Sequence, residues 1–116
     1  MSEAVLFHNP RCSKSRAALA LLVARGIEPT IVRYLDEPPD AATLRALLGK
    51  LGLPARALLR TGEDEHQTLG LADPALDDEA LIAAMVAHPR LIERPIFVRG
   101  RRAVIGRPPE RVLEIL

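Results

Sequence analysis

A chain of 116 residues fits a single domain with a core large enough to need neither disulfides nor a metal. With 48% hydrophobic and 27% charged residues, its composition is that of a globular protein and unlike that of disordered or membrane classes. Sixteen Lys and Arg against fifteen Asp and Glu leave a formal charge of +1, which excludes the global basic field of a nucleic-acid binder, so any anion site must be local.

Residues Ala4-Val5-Leu6-Phe7 form a continuous apolar run closed by Asn9-Pro10, which predicts a strand buried on both faces, as in a parallel or mixed sheet. From Ser13 to Arg25 the chain is rich in helix formers, with Gly26 as the C-terminal stop, and Thr30 to Tyr34 is a β-branched second strand. Together they make a strand, crossover helix, strand unit. Asp40 offers an N-cap to a helix with Leu44, Leu47, Leu48 and Leu51 on one face. A short helical piece is expected over Pro54 to Leu59, then a polar loop through Thr61-Gly62-Glu63-Asp64-Glu65. The next helix is expected from Asp78 to His88, closed by Pro89. Ile96 to Ile105 reads as a hairpin about Gly100, and Arg111 to Leu116 as a terminal helix introduced by Pro108-Pro109. No stretch approaches the roughly 18 apolar residues of a membrane span, and the first three residues lack the start of a signal peptide. A lone cysteine forbids an internal disulfide, so the expected setting is the reducing cytoplasm.

That cysteine, Cys12, stands between the first strand and the first helix, in Asn9-Pro10-Arg11-Cys12-Ser13-Lys14-Ser15-Arg16. A helix N-terminus presents unpaired amides and a partial positive charge, both of which favour a thiolate over a thiol. Arg11, Lys14 and Arg16 add positive potential, a protonated His8 adds more across the turn, and the hydroxyls of Ser13 and Ser15 are within reach of the sulfur. A small packed cysteine is the ordinary alternative, but the turn position and charged flanks favour reactivity. Ser15 occupies the second place of a C-x-x-C pattern, so an intermediate on Cys12 must be resolved by an external thiol. Arg16 follows too closely for the C-x5-R loop of a tyrosine phosphatase. Arg94 before Pro95, Arg107 in Gly106-Arg107-Pro108-Pro109, and Arg60 at the end of Ala57-Leu58-Leu59-Arg60 all stand at element ends, where loops carry sites.

These stretches, with Tyr34-Leu35, Leu69-Gly70-Leu71-Ala72 and His88-Pro89, occur in an order and spacing that resembles the glutaredoxin-linked arsenate reductases over essentially the whole chain. The resemblance implies one α/β domain over residues 1–116, a thioredoxin-like mixed sheet of about four strands flanked by helices, with a helical insertion. It implies Cys12 as nucleophile, His8 as the group that helps it ionise, and Arg60, Arg94 and Arg107 as the oxyanion holders. Ser15 is a supporting residue and Pro95 the cis-proline facing the cysteine. Arsenate is the implied substrate and glutathione the cosubstrate, with glutaredoxin as partner; no bound cofactor, metal, nucleic acid or membrane is implied. Ending at Leu116, the chain resembles a short subgroup without the C-terminal tail of better-known members. Two alternatives stay open: a monothiol enzyme acting on glutathionylated substrates, and a non-enzymatic polymerase-binding module. Ser15 argues against the C-x-x-C switch of the latter, though not against binding.

Overall fold

The computed structural model describes residues 4–116, so the first three residues and the reading made of them lie outside it. The chain divides into two compact units, one formed by Pro38–Glu93 and the other by the residues on either side of that segment.

In the flanking unit, β1 (Ala4–Phe7), β2 (Thr30–Val32), β3 (Ile96–Arg99) and β4 (Arg102–Ile105) form one sheet in the order β2-β1-β3-β4. β1 runs parallel to β2, with Leu6 opposite Ile31, and antiparallel to β3, with Leu6 opposite Phe97; β3 and β4 make the expected hairpin. The parallel pair requires a crossover, which α1 (Ser13–Ala24) supplies. Leu6 and Phe7 point to opposite faces and both are buried, as the unbroken apolar run of a central strand demands. Leu6, Ala18, Leu22, Phe97, Val104, Val112 and Ile115 form the core of this unit, joining sheet, α1 and the C-terminal segment.

α1 stops where Gly26 takes a left-handed φ of 76°, and the Gly26 and Ile27 amides fold back onto the carbonyls of Val23 and Leu22. β2 is shorter than expected. Past Val32 the Asp36 and Glu37 amides both donate to the Arg33 carbonyl, so the backbone turns there and Tyr34 is buried off the end of the strand. The C-terminal segment is a 3₁₀ helix, Pro109–Ile115, in place of the expected α-helix over 111–116. Two prolines at its start withhold amides and fix φ, and the first bond it makes, Arg111 N–H to the Pro108 carbonyl, has i→i+3 spacing.

The second unit is helical, as the resemblance implied for an insertion: α2 (Ala41–Leu51), α3 (Ala55–Leu58), α4 (Asp64–Thr68) and α5 (Asp78–Ala87). Asp40 caps α2 by accepting the Thr43 amide at 2.8 Å, and Asp77 caps α5 by accepting that of Ala80 at 2.9 Å. Leu44, Leu47, Leu58, Leu81, Ile82, Met85 and Leu91 are buried in this unit. α4 replaces part of the polar loop expected around Glu63–Glu65. It buries none of its residues, so no apolar periodicity announced it; Asp64 and Glu65 in its first turn favour it electrostatically. Pro89 ends α5 but opens a single 3₁₀ turn, Pro89–Leu91. Among the described residues no helix is long and apolar enough to cross a membrane.

One glycine is fixed by space. A Cβ on Gly106 stands 2.9 Å from Pro95 Cγ and 3.0 Å from Val112 Cγ1, so the loop after β4 can lie against Pro95 only if residue 106 has no side chain. Gly106→Ala is therefore expected to destabilise the chain by about 1–3 kcal/mol, read as a lower midpoint in urea.

Candidate active site

The turn carrying Cys12 is held by its own polar groups. Asn9 accepts the Cys12 amide on its carbonyl at 3.0 Å and the Arg11 amide on Oδ1 at 3.0 Å. Cys12 is the N-cap of α1, extended at φ −94° and ψ 123°, and its carbonyl accepts the first helical bond, from Arg16 N–H. Its thiol is half-buried. Burial is the largest single influence on that thiol and pushes its pKa up. The Ser15 amide, the Arg94 charge, the Lys14 amide and the Arg107 charge together outweigh it, and hold the thiol below its ordinary value.

The source of positive potential differs from the one read in the sequence. Arg16 turns its guanidinium to the Pro10 carbonyl, 2.9 Å away, and the arginines acting on the sulfur are the sequence-distant Arg94 and Arg107. Arg107 Nη2 lies 4.0 Å from Cys12 Sγ, while its Nε donates to the Arg94 carbonyl at 2.8 Å. One side chain thus links the sulfur to the entry of β3. The peptides Arg94-Pro95 and Arg107-Pro108 are both cis, and the Gly106 amide donates to the Pro95 carbonyl at 2.9 Å. The first matches what the resemblance implied for Pro95; the second was not foreseen.

Ser15 and His8 form a buried polar pair beneath the turn. Ser15 Oγ accepts the Asn9 amide at 3.0 Å, leaving its own hydrogen for His8 Nδ1 at 2.6 Å, which suits a neutral imidazole. Burial, then Arg33 and Arg16, push the His8 pKa down. A protonated His8 at neutral pH is therefore disfavoured. The contribution of His8 that the geometry supports is to fix Ser15, and through it the Asn9 loop and the first turn of α1. The Ser15 hydroxyl is thereby committed to His8 and Asn9, and the serine group that favours the thiolate is the backbone amide.

Cys12, His8, Ser15, Arg94, Pro95 and Arg107 all belong to the unit with the sheet, whereas Arg60 belongs to the helical unit. There Leu59 pairs with Ile92, and the Arg60 amide donates to the Leu91 carbonyl at 2.7 Å. The Arg60 guanidinium is 2.7 Å from Glu63 Oε1 and 4.0 Å from Glu93 Oε1, so it stands among carboxylates. Glu63 also meets Arg90 at 3.0 Å. Sequence reasoning missed Asn9 as an organiser of the turn and Gly106 as the gap that admits Pro95. The Asn-Pro and Gly-Arg-Pro turn signals marked both positions as loops and nothing more.

The model of the ArsC family matches residues 7–115 of the chain. Similar proteins include the uncharacterized protein YfgD of Escherichia coli strain K12, 58% identical over 112 residues, covering 96% of this chain and 94% of its own. An arsenate reductase of Neisseria meningitidis serogroup A is 50% identical over 117 residues, with 100% of both chains covered. Among solved structures, an arsenate reductase from Vibrio cholerae shares the fold with a TM-score of 0.96 at 50% identity, covering 99% of this chain and 98% of that one.

Proposed function

The chain belongs to the ArsC family, and on that premise we propose that it reduces arsenate to arsenite through Cys12, with glutathione and glutaredoxin as electron donors. The observation that supports the reading is the Cys12 sulfur at the N-terminus of α1 with Arg107 Nη2 4.0 Å away: a thiol and a guanidinium side by side.

Arsenate and a thiolate are both anions, and their approach is opposed until cations neutralise them. Arg94 and Arg107 serve both, lowering the thiol pKa and offering forked donors to the oxyanion. Arg60, the third oxyanion holder that the resemblance implies, lies in the helical unit, where its guanidinium pairs with Glu63. The Cys12 thiolate attacks arsenic and an oxygen leaves as water, giving a Cys12–S–As(V) adduct. A glutathione thiol displaces a second oxygen, again as water, so that arsenic is bridged between two sulfurs. The glutaredoxin thiolate then takes the glutathionyl sulfur as a mixed disulfide, and the electron pair of the broken S–As bond stays on arsenic as As(III). Water releases arsenite and returns the Cys12 thiol. No step needs a second cysteine in this chain, which accords with serine at position 15.

The purified protein with arsenate, glutathione and glutaredoxin is expected to form arsenite catalytically, and leaving out either thiol partner is expected to reduce the rate to background. Equal rates with glutathione alone would remove glutaredoxin from the mechanism. No turnover with the full system would reject the reading.

A second reading is supported by the same lowered thiol pKa: a monothiol enzyme that takes glutathione from other proteins. It needs Cys12 but has no use for a fork beside it, so activity toward a glutathionylated peptide that survives Arg107→Ala would favour it.

A further inference from the structure

A cleft of about 320 Å³ lies beside the Cys12 turn, between the loop His8–Arg11 and the turn after β2 that carries Arg33, Leu35 and Asp36. Its volume is at the small end of the range for small-molecule sites. The backbone fixes both walls. His8 N–H donates to the Val32 carbonyl at 2.9 Å, tying the end of β1 to the end of β2, and the Asp36 and Glu37 amides close the turn on the Arg33 carbonyl at 2.9 and 2.8 Å. Tyr34, 1% exposed, anchors that turn from below.

The cleft is lined by neither Cys12, Arg94 nor Arg107, so it is separate from the proposed oxyanion position although Arg11 is next to the nucleophile in the chain. The charged residues in its lining are Arg11, Arg33 and Asp36. Among the described residues no side-chain hydrogen bond or ion pair engages these three, in contrast to Arg16, which is spent on Pro10. Exposed Leu35 and Pro10 add apolar surface to its lining. A ligand complementary to this set carries two carboxylates and one ammonium on a short flexible frame. A γ-linked peptide thiol has that pattern.

We propose that the cleft is the docking subsite of the reducing thiol, a small dicarboxylate peptide of the glutathione type, with its carboxylates on Arg11 and Arg33 and its ammonium on Asp36. The inference rests on the reading of glutathione as cosubstrate and adds where, and by which residues, this chain holds it. Forked guanidiniums select carboxylates over neutral thiols, so glutathione is favoured over a small uncharged thiol such as mercaptoethanol.

The test uses S-methylglutathione, which keeps every charge and lacks the reactive thiol. Titrated into the ¹⁵N-labelled full chain, it is expected to shift amides in 8–11 and 33–36. Arg33→Ala and Asp36→Ala, both at exposed positions, are each expected to weaken binding about fivefold, with a matching rise in KM for glutathione. Shifts confined to other regions, or variants that bind as tightly as the parent, overturn the inference. Protection of Cys12 from alkylation by arsenate, measured in the same samples, separates it from the reading beneath it. Protection without binding of the peptide refutes the cleft alone. Binding in the cleft without protection by arsenate supports the cleft and refutes arsenate as substrate.

Discussion

Cys12→Ser is expected to lower arsenite formation by on the order of 10⁴-fold or more, to the level of a protein-free control, while leaving the fold intact. The substitution keeps nearly the same volume at a half-buried position that forms no disulfide. The amides of Ser15 and Lys14 and the charges of Arg94 and Arg107 bring a thiol below its ordinary pKa. The same groups cannot ionise an alcohol whose intrinsic acidity is many orders weaker, and His8, the imidazole at the end of β1, is committed to Ser15. The urea midpoint is expected to move by no more than about 0.5 kcal/mol equivalent. Residual turnover well above control would place the nucleophile elsewhere.

Arg107→Ala is expected to reduce kcat/KM for arsenate by about 10²–10³-fold and, separately, to raise the Cys12 thiol pKa. The two effects have one origin. Arg107 is a cation acting on the sulfur, and its Nη2 is 4.0 Å from Sγ while Nε holds the Arg94 carbonyl at 2.8 Å. In the proposed mechanism, removing it takes away a positive charge from the thiolate, a forked donor from the oxyanion, and a brace from the segment that leads through Pro95 into β3. Arg107→Lys keeps the charge and loses the fork, so it is expected to restore much of the thiol pKa and little of the arsenate KM. Equal recovery of both would mean that charge alone is needed at this position. A kcat/KM unchanged in Arg107→Ala would remove this residue from arsenate binding.

The sheet and its central helix were legible because their signals are local. An unbroken apolar run, a helix-forming stretch ended by Gly26, and a Gly100 hairpin each specify one element. Asp40 could be read as a cap for the same reason, since the residues that it serves are adjacent in sequence. Cys12 stood out by position, and its charged flanks marked it for a positive environment. Which charges provide it was not legible, since Arg94 and Arg107 reach the sulfur only through sheet order β2-β1-β3-β4, which brings β3 beside β1. The nearer Arg16 satisfies a backbone carbonyl instead. His8 shows the opposite limit. Its place at the end of β1 marked it for a role, but burial decides its protonation, and burial is a property of the assembled unit. α4 and the C-terminal 3₁₀ helix escaped because one buries nothing and the other depends on two prolines and tertiary packing against α1.

The central claim is that Cys12 is a thiolate held ready beside an oxyanion site, and the rate of its alkylation as a function of pH, with and without arsenate, tests it most directly. In the folded protein the midpoint is expected below that of the same chain unfolded in urea, because the folded state binds the proton less tightly. Arsenate is expected to slow alkylation in a saturable way, and to lose that effect in Arg107→Ala. A folded midpoint equal to or above that of the unfolded chain, together with no protection by arsenate, would contradict the account.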